Sequence, residues 1–419
     1  MELTLNGKTV KTSNGKSVLD VINDSKTYIP QLCKDPDMKP IGACRTCLVE
    51  IEGINGIVAS CSVKAEPNMK IWTNTERPKK LRAGVIELTL GMLPKNKSKS
   101  YRELTKAKQI HEIKNAQFPS RERQPADTSN PVFNISMDDC ILCGRCTQAC
   151  QTGHQFIGAI DFLGTSTDSR IGTFMDSPLI DSVCTTCGQC LSVCPTGAIS
   201  VKVEEKPTVK EIDTTCPYCG VGCGITAQVD SDQQITAMQD NPLNQSSKGM
   251  LCVKGRFGFK YVHHKDRLKQ PLIRKNGILT ESSWEEAIEY VGNKLSLYRG
   301  SEFATLCSAK ATNEDGYIQQ KFARTVMATN NIDHCTRLCH SPSVEAMLTS
   351  LGSGATSNSY IDYEEAGCLM IIGSDANSNH PVAASRMRRL SLERSPVRSS
   401  NSSWVMADFS WMDFILPSI

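Results

Sequence analysis

The sequence predicts a multidomain α+β and α/β protein, and three observations carry that prediction. A chain of 419 residues with 39% hydrophobic side chains can form cores for two to four domains. Sixteen of the 20 cysteines fall into four regularly spaced sets. Beyond residue 265, strand and helix patterns alternate, as in α/β domains. The predicted domains are 1–78, 79–130, 131–205, 209–265 and 266–389, followed by a tail, 390–419.

Charge and hydropathy exclude several classes of protein. The 47 basic and 44 acidic side chains leave a net charge of +3, so the whole chain is not a polyanion binder. No run of 18 apolar residues occurs, and the N-terminus lacks the basic and apolar regions of a secretory signal. We therefore expect a cytoplasmic protein without a membrane span. A chain of this length needs no disulfide staples, so the cysteine spacing indicates metal ligation.

The first cysteine set lies in a small β-rich domain. The Asn6-Gly7 pair predicts a hairpin, and Ser17 begins a short helix with a capping-box pattern. A long loop followed by a C-x2-C pair can bring four thiolates to two sulfide-bridged iron atoms, and Gly42 allows the backbone to approach the sulfides. A structural zinc site is the alternative. The first set consists of Cys33, Cys44, Cys47 and Cys61.

The second and third sets are two copies of C-x2-C-x2-C-x3-C, the pattern of two-cluster ferredoxins. The second set is Cys140, Cys143, Cys146 and Cys150, and the third is Cys184, Cys187, Cys190 and Cys194. In this pattern the fourth cysteine of each run ligates the other cluster. Cluster one is therefore assigned to Cys140, Cys143, Cys146 and Cys194, and cluster two to Cys184, Cys187, Cys190 and Cys150. Pro195 ends the third set, whereas Gln151 follows the second.

The fourth set lies within CPYCGVGC and CVKGRFG. It consists of Cys216, Cys219, Cys223 and Cys252. Three ligands on a glycine-rich loop and a distant fourth suit a further [4Fe-4S] cluster. Lys254 stands two residues after the last ligand, where a cation would stabilise the reduced, more negative state. A solvated surface lysine is the alternative.

These motifs resemble known families. The first set is similar to the β-grasp [2Fe-2S] domain found in the iron–sulfur subunit of complex I and in NAD-linked formate dehydrogenases. CPYCGVGC, CVKGRFG and SSWEEA resemble the iron–sulfur domain of the bis-(molybdopterin guanine dinucleotide) oxidoreductases. The second resemblance implies that Lys254 lies between the cluster of the fourth set and a pterin.

Four cysteines lie outside the sets. Cys307 and Cys368 lie in apolar runs and are predicted to be buried in strands. HCTRLCHSPSVEAMLTSLGSGA is similar to the segment in which formate dehydrogenases place a metal-binding cysteine or selenocysteine followed by histidine. The resemblance implies that Cys339 ligates molybdenum or tungsten and that His340 accepts or orients the proton. Cys335 fits neither role.

The region beyond residue 265 contains the predicted α/β elements. We expect a helix over 284–298, a strand over 303–307, a helix from the Thr312 cap to about residue 329 and a buried strand over 367–373. Doubly wound sheets bind nucleotides in loops that follow such strands. The resemblance implies guanine dinucleotide contacts from Gly373, Asp375 and His380, and an ordinary turn is the alternative.

Two segments depart from the related proteins. A helix over 79–92 is expected to close the first domain, and residues 92–124 then carry a charge of +6 from nine basic and three acidic residues. Without interleaved aromatics, this charge favours a solvated helix or docking patch over a nucleic-acid stripe. Relatives carry a His/Cys3 cluster here, but no cysteine lies between Cys61 and Cys140. From residue 390 the serine-rich tail matches no expected element, which predicts a frameshifted or prematurely ended reading frame.

The resemblance implies the N-terminal portion of a molybdenum- or tungsten-dependent formate dehydrogenase catalytic subunit. Formate would become carbon dioxide beside Cys339, and electrons would leave by Lys254, three [4Fe-4S] clusters and one [2Fe-2S] cluster. A diaphorase-type flavoprotein carrying FMN would pass the electrons to NAD, because this sequence has no GxGxxG loop. The alternatives are the complex I iron–sulfur subunit, which holds no molybdenum, and a fragment that only transfers electrons.

Overall fold

The first residues form a mixed five-stranded sheet in the computed structural model, which describes residues 1–94, 102–114, 117, 118, 126–202, 206–366, 369, 371 and 373–393. Its elements are β1 (Glu2–Leu5), β2 (Lys8–Lys11), α1 (Val18–Asp24), β3 (Leu48–Ile51), β4 (Ile57–Ala59) and β5 (Lys70–Trp72). The strand order is β2-β1-β5-β3-β4, with β1 parallel to β5. Asn6 and Gly7 both have positive φ, as a type I′ turn requires, so the predicted hairpin is confirmed. Ser17 and Asp20 form the predicted capping box.

Two helices follow this sheet, α2 (Glu76–Gly91) and α3 (Arg102–Ile110). The first confirms the helix predicted over 79–92 and begins three residues earlier. An apolar cluster joins α2 and α3 to segments of the first two cysteine sets. It consists of Leu32, Cys33, Ile86, Leu93, Leu104, Ala107, Ile141 and Cys143. Much of the predicted basic run lies in 95–101 and 119–125, outside the described residues.

The segment that carries the second and third cysteine sets, here called the ferredoxin-like repeat, is built from short elements. These are β6 (Phe133–Ile135), α4 (Arg145–Gln148), β7 (Asp161–Leu163), β8 (Arg170–Gly172), α5 (Gln189–Ser192) and β9 (Ile199–Val201). The first and last strands pair antiparallel, and a π-helical turn, Ala149–Gly153, continues α4 through Cys150. Antiparallel pairing of the outer strands brings the start and the end of the repeat together, which places both cysteine runs in one small domain.

An antiparallel sheet precedes the last ligand of the fourth set. It consists of β10 (Lys210–Thr215), β11 (Gly224–Val229) and β12 (Ile235–Asp240), and α6 (Val253–Phe257) begins directly after Cys252. Cys223 ends the loop that precedes β11, and the backbone N–H of Cys216 donates to its carbonyl oxygen at 2.9 Å. This pairing fixes the two ends of the glycine-rich loop.

Residues Lys260–Asp362 form a separate compact unit. Its elements are β13 (Leu272–Lys275), β14 (Ile278–Glu281), α7 (Trp284–Leu295), β15 (Thr305–Cys307), α8 (Asn313–Lys321), β16 (Ile332–His334), α9 (Thr336–Cys339) and α10 (Ser341–Leu351). The predicted Thr312 capping box is present, but α8 ends at Lys321 and a π-helical turn extends only to Val326. The prediction that Cys307 is buried is wrong, because its side chain is only partly buried; among the strands that the structure describes, the short β15 pairs with β16 alone.

The other unit comprises Met1–Phe259 and the described part of Tyr363–Ile419. The one-turn helix α11 (Asp362–Glu365) lies where the chain passes from the Lys260–Asp362 unit to this one. Two further helices follow, α12 (Ala376–Asn379) and α13 (Pro381–Glu393). Most of the strand predicted over 367–373, with Cys368, lies outside the described residues, as does the tail from residue 394. Among the helices that the structure describes, none is both long and apolar enough to cross a membrane. The chain is thus a multidomain mixture of helices and small mixed sheets.

Candidate functional site

The thiols of the first set lie close together as two hydrogen-bonded pairs. The Cys44 sulfur accepts the backbone N–H of Cys33 at 3.4 Å and lies 3.1 Å from Thr46 Oγ1. A hydrogen bond from the Cys33 thiol lowers the pKa of Cys44 to about 5. The same interaction from Cys47 lowers the pKa of Cys61 to about 6. Thiolates stabilised by N–H and O–H donors are the form that binds iron.

The second and third sets have the same local conformation. Leu142 and Thr186 occupy equivalent positions with φ of 51° and 55°, and the glycine two residues later is also left-handed in both loops. Each of these two residues donates its N–H at 3.4 Å to the sulfur two residues earlier, that of Cys140 or Cys184. The sequence repeat is therefore also a structural repeat.

The eight thiols of these loops group crosswise around two cavities. One cavity is lined by Cys140, Cys143, Cys146 and Cys194. The other is lined by Cys150, Cys184, Cys187 and Cys190. This is the grouping that the sequence assigned to clusters one and two. Cys150 lies in the π-helical turn, and its sulfur accepts the N–H of Ala159 at 3.2 Å.

The chemistry of these cavities suits iron–sulfur clusters. Burial raises the pKa of Cys187 to about 11 and that of Cys143 to about 12, so a bound metal must displace their protons. Within the described ranges, no three Cys, His, Asp or Glu side chains converge closely enough to hold a single metal ion. Each cavity is lined by four cysteines, which is the number of thiolate ligands that a [4Fe-4S] cluster takes.

The fourth set also surrounds a cavity. Cys216, Cys219, Cys223 and Cys252 line it together with Lys254. Burial, followed by the charges of the neighbouring thiols, raises the pKa of Cys223 to about 12. The side chain of Lys254 is otherwise exposed, and its Nζ donates to the carbonyl oxygen of Ser378 in α12 at 3.4 Å. The lysine thus lies at the edge of the sulfur site, and its role as a cation beside a cluster stays a prediction.

Hydrogen bonds connect the fourth set to cluster two. Arg256, one helical turn after Cys252, is buried and donates to the carbonyl oxygen of Cys187 at 3.1 Å and to Gln189 Oε1 at 3.2 Å. Gln189 in turn donates to the carbonyl oxygen of Gly249 at 3.1 Å. These contacts tie the loop of the third set to the residues around the last ligand of the fourth set.

Further contacts continue this series to the first set. The thiols of Cys146 and Cys190 are close enough for their charges to interact across the two ferredoxin-type cavities. Cys33 and Cys143 belong to the same apolar cluster, and next to it Arg145 Nη2 lies 2.5 Å from Asp35 Oδ2. The four thiol groups therefore stand in the order fourth set, cluster two, cluster one, first set.

Gly188 provides a test of the packing between the fourth set and cluster two. Its φ is +73°, and a Cβ at this position would lie 2.5 Å from Arg256 Cδ and 2.8 Å from the Phe257 ring. We expect Gly188→Ala to lower the free energy of unfolding by about 2–4 kcal/mol, from left-handed backbone strain and crowding. Thermal unfolding with parallel iron analysis measures this. Gly220→Ala is the control, because no atom lies within 4 Å of its Cβ position. Equal stability of the two variants would contradict the packing argument.

Cys339 and His340 lie in the unit formed by Lys260–Asp362. Cys339 is the last residue of α9 and a free, exposed thiol, and the exposed His340 directly precedes α10. Four residues earlier, the Cys335 sulfur accepts the N–H of Ala309 at 3.3 Å and lies 3.7 Å from His334 Nδ1. Cys339, the predicted metal ligand, and His340, the predicted proton acceptor, are therefore both exposed at the junction between α9 and α10.

The predicted nucleotide-binding loop lies next to the fourth set. Gly373 has a φ of 59°, and the Asp375 carboxylate accepts the N–H of Ser378 at 3.1 Å as the N-cap of α12. Hydrogen bonds from the side chain and then from the backbone N–H of Ser378 lower the pKa of Asp375. His380 is exposed at the end of α12, and Asn379 beside it lines the cavity of the fourth set. The three predicted residues share one exposed loop.

Sequence reasoning did not identify Arg256, Gln155 and Arg388 as residues near cluster two. Arg256 follows Cys252 by four residues, about one helical turn. This spacing could have suggested that its side chain lies near the sulfur sites. Arg388 donates to the carbonyl oxygen of Gln155 across 233 residues of sequence. No local pattern could indicate that contact.

Comparisons with known families match almost every segment described above. The 2Fe-2S iron–sulfur cluster binding domain matches residues 1–76, and the 4Fe-4S binding domain matches 133–153 and 178–200. The molybdopterin oxidoreductase Fe4S4 domain matches 209–264, and the molybdopterin oxidoreductase domain matches 267–400. The matched ranges contain all four cysteine sets, together with Lys254, Cys339 and His340.

Individual relatives carry names of the same kind. Proteins of Staphylococcus aureus strains Mu50 and RF122, each named "Putative formate dehydrogenase", are 29% identical to this chain over 446 aligned residues. The alignments cover 92% of this chain and 44% of the relatives, so the chain spans less than half of their length.

A solved structure of an NAD+-reducing [NiFe]-hydrogenase in the H2-reduced state aligns with a TM-score of 0.45 and 25% identity. That alignment covers 50% of this chain and 91% of the hydrogenase chain. The family matches are more specific, because they set 2Fe-2S and 4Fe-4S domains before two consecutive molybdopterin oxidoreductase domains. The chain is thus similar to the molybdopterin oxidoreductases over residues 209–264 and 267–400, and these two domains follow a 2Fe-2S and a 4Fe-4S domain.

Proposed function

We propose that this chain is part of a molybdenum- or tungsten-dependent formate dehydrogenase that oxidises formate to carbon dioxide. The observation that carries the proposal is the series of four thiol groups within a chain that also has the Cys339-His340 pair. The names of the Staphylococcus aureus relatives support formate as the substrate. Each formate would release one carbon dioxide, one proton and two electrons.

The thiol groups provide the ligands for the cofactors. The first set would hold a [2Fe-2S] cluster, and clusters one and two and the fourth set would each hold a [4Fe-4S] cluster. Bound there, these clusters supply one-electron transfer, and a bis-(molybdopterin guanine dinucleotide) metal centre supplies the two-electron oxidation. Lys254 would place a positive charge between the fourth set and the pterin.

The pair in the Lys260–Asp362 unit would act at the substrate. Cys339 would bind the metal as thiolate, since its free and exposed sulfur is accessible to a ligand. His340 would take the proton of formate on an imidazole nitrogen, since histidine is the side chain that most often acts as a general base. Gly373, Asp375 and His380 would contact the guanine dinucleotide from their shared loop.

The electrons would leave through a partner. A diaphorase-type flavoprotein carrying FMN is proposed as the acceptor that reduces NAD, in the cytoplasm. The first set stands at the opposite end of the series from the fourth set. The partner would therefore dock on the N-terminal sheet domain, which contains the first set.

Formate-dependent reduction of benzyl viologen by the anaerobically isolated holoprotein tests the function. We expect two viologens reduced for each carbon dioxide formed, and molybdenum or tungsten present together with iron. Protein that contains iron but neither heavier metal, and reduces dye with NADH instead of formate, would support the complex I alternative. Protein with full iron, a bound pterin metal and no formate activity would reject formate as the substrate.

A further inference from the structure

Two arginine side chains approach the cavity of cluster two from distant segments. Arg256, on α6, donates to the carbonyl oxygen of Cys187. Arg388, on α13, donates through Nε to the carbonyl oxygen of Gln155 at 3.0 Å. Gln155 lines the cavity together with the four thiols of cluster two. Two positive charges therefore lie near one group of sulfur ligands.

The charge of the first arginine is compensated. Arg256 Nη2 lies 2.8 Å from Asp240 Oδ1. The arginine beside cluster one is compensated in the same way, because Arg145 Nη2 lies 2.5 Å from Asp35 Oδ2. Each pair is neutral as a whole, so it contributes little net potential at the neighbouring sulfur site.

Arg388 has different neighbours. Its Nη2 donates to Ser385 Oγ at 3.0 Å, and its Nη1 donates to the side-chain oxygen of Asn377. In the described portion of the chain, the groups to which Arg388 donates are all neutral. Burial lowers the pKa of Arg388, and the negative charge of the Cys187 thiolate opposes that change. Because guanidinium stays charged, this half-buried cation needs a negative counter-ion nearby.

We propose that Arg388 is a positioning residue whose counter-ion is the [4Fe-4S] cluster held by Cys150, Cys184, Cys187 and Cys190, and that it raises the reduction potential of this cluster. The inference rests on the proposed function only in requiring a cluster at this site. Reduction adds a negative charge to the cluster, and a nearby cation stabilises that state.

The charged surroundings of the two ferredoxin-type sites differ, although their loops have the same conformation. Among the described residues, the Arg145–Asp35 pair lies beside cluster one, whereas cluster two has the Arg256–Asp240 pair, Arg388 and the carboxylate of Asp127, whose charge acts on Cys184. Arg388 adds a positive charge that its own hydrogen-bond partners do not offset, so cluster two is reduced more readily with this side chain than without it.

Redox titration followed by electron paramagnetic resonance tests this inference in the anaerobically isolated holoprotein. Loss of one signal in Cys184→Ala identifies cluster two. We expect Arg388→Gln to shift the midpoint of that signal to a more negative potential, by at least a tenfold change in the one-electron equilibrium constant, or ~59 mV. Asn377→Asp should shift it in the same direction, because the new carboxylate neutralises the guanidinium without removing it.

Two further variants separate charge from structure. Arg388→Lys keeps the charge and should keep the midpoint near that of the wild type. Arg389→Gln changes the adjacent arginine, whose Nη1 lies 3.1 Å from Glu364, and should leave the midpoints unchanged. Unchanged midpoints in both Arg388→Gln and Asn377→Asp, with full iron content, would overturn the inference. A wild-type protein without any cluster-two signal would instead overturn the proposed function, and this inference with it.

Discussion

Replacing Cys339 with serine in the holoprotein should lower formate-dependent viologen reduction by at least about 10³-fold, as expected when a residue at the centre of a catalytic unit is removed. Serine is nearly isosteric but does not provide a thiolate, so the proposed bond to molybdenum or tungsten would be lost. Iron content should not change, because the four thiol groups belong to the other compact unit. Initial rates with formate, measured beside iron and molybdenum analysis, give the comparison.

Cys335→Ser is the matched control for this prediction. Cys335 is also exposed, lies four residues before Cys339 and has no proposed role in the reaction. We expect it to retain formate activity within about twofold, because surface substitutions usually have small effects. If Cys339→Ser keeps the activity of the wild type, the assignment of the metal ligand is wrong. If both variants lose activity equally, the effect belongs to the helix junction and not to a metal bond.

Replacing Cys194 with alanine should remove cluster one and leave cluster two in place. Cys194 belongs to the third run in sequence, but its side chain lines the cavity with the three leading cysteines of the second run. The variant should lose one paramagnetic signal and about four iron atoms for each chain. It should also lose stability, because metal binding contributes directly to folding in small metal-holding domains.

The reciprocal variant sharpens this test. Cys150→Ala should remove the other signal, the one that also disappears in Cys184→Ala, because Cys150 lines the cavity of cluster two. Iron analysis and low-temperature resonance spectra of dithionite-reduced protein distinguish the two losses. Should Cys194→Ala and Cys184→Ala abolish the same signal, each run would hold its own cluster and the crosswise grouping would be refuted.

Much of the candidate site could be predicted because iron–sulfur sites are specified by local spacing. Thiols separated by two residues share a loop, and the repeat of C-x2-C-x2-C-x3-C predicted that Cys150 and Cys194 each line the cavity of the other run, as they do. The Asn6-Gly7 hairpin and the Ser17 cap were predictable for the same reason, since turns and helix starts depend on neighbouring residues.

The remaining features depend on contacts between distant segments. Arg388 reaches Gln155 only because α13 packs against the ferredoxin-like repeat, and no sequence period encodes that approach. The burial predicted for Cys307 failed because an apolar run indicates a strand but not the number of neighbours that cover it. The shared apolar cluster of Cys33 and Cys143 likewise results from the packing of α2 and α3.

The crosswise sharing of sulfur ligands has a mechanical consequence for the ferredoxin-like repeat. The segment that joins its two cysteine runs contains an exposed turn. In this turn Phe174 and Met175 are 85% and 83% exposed, and Met175 has a φ of 55°. With the proposed clusters bound, each would be held by thiols from both sides of this turn. A protease that cuts the turn would then cleave the polypeptide without separating the two fragments for as long as the iron is retained.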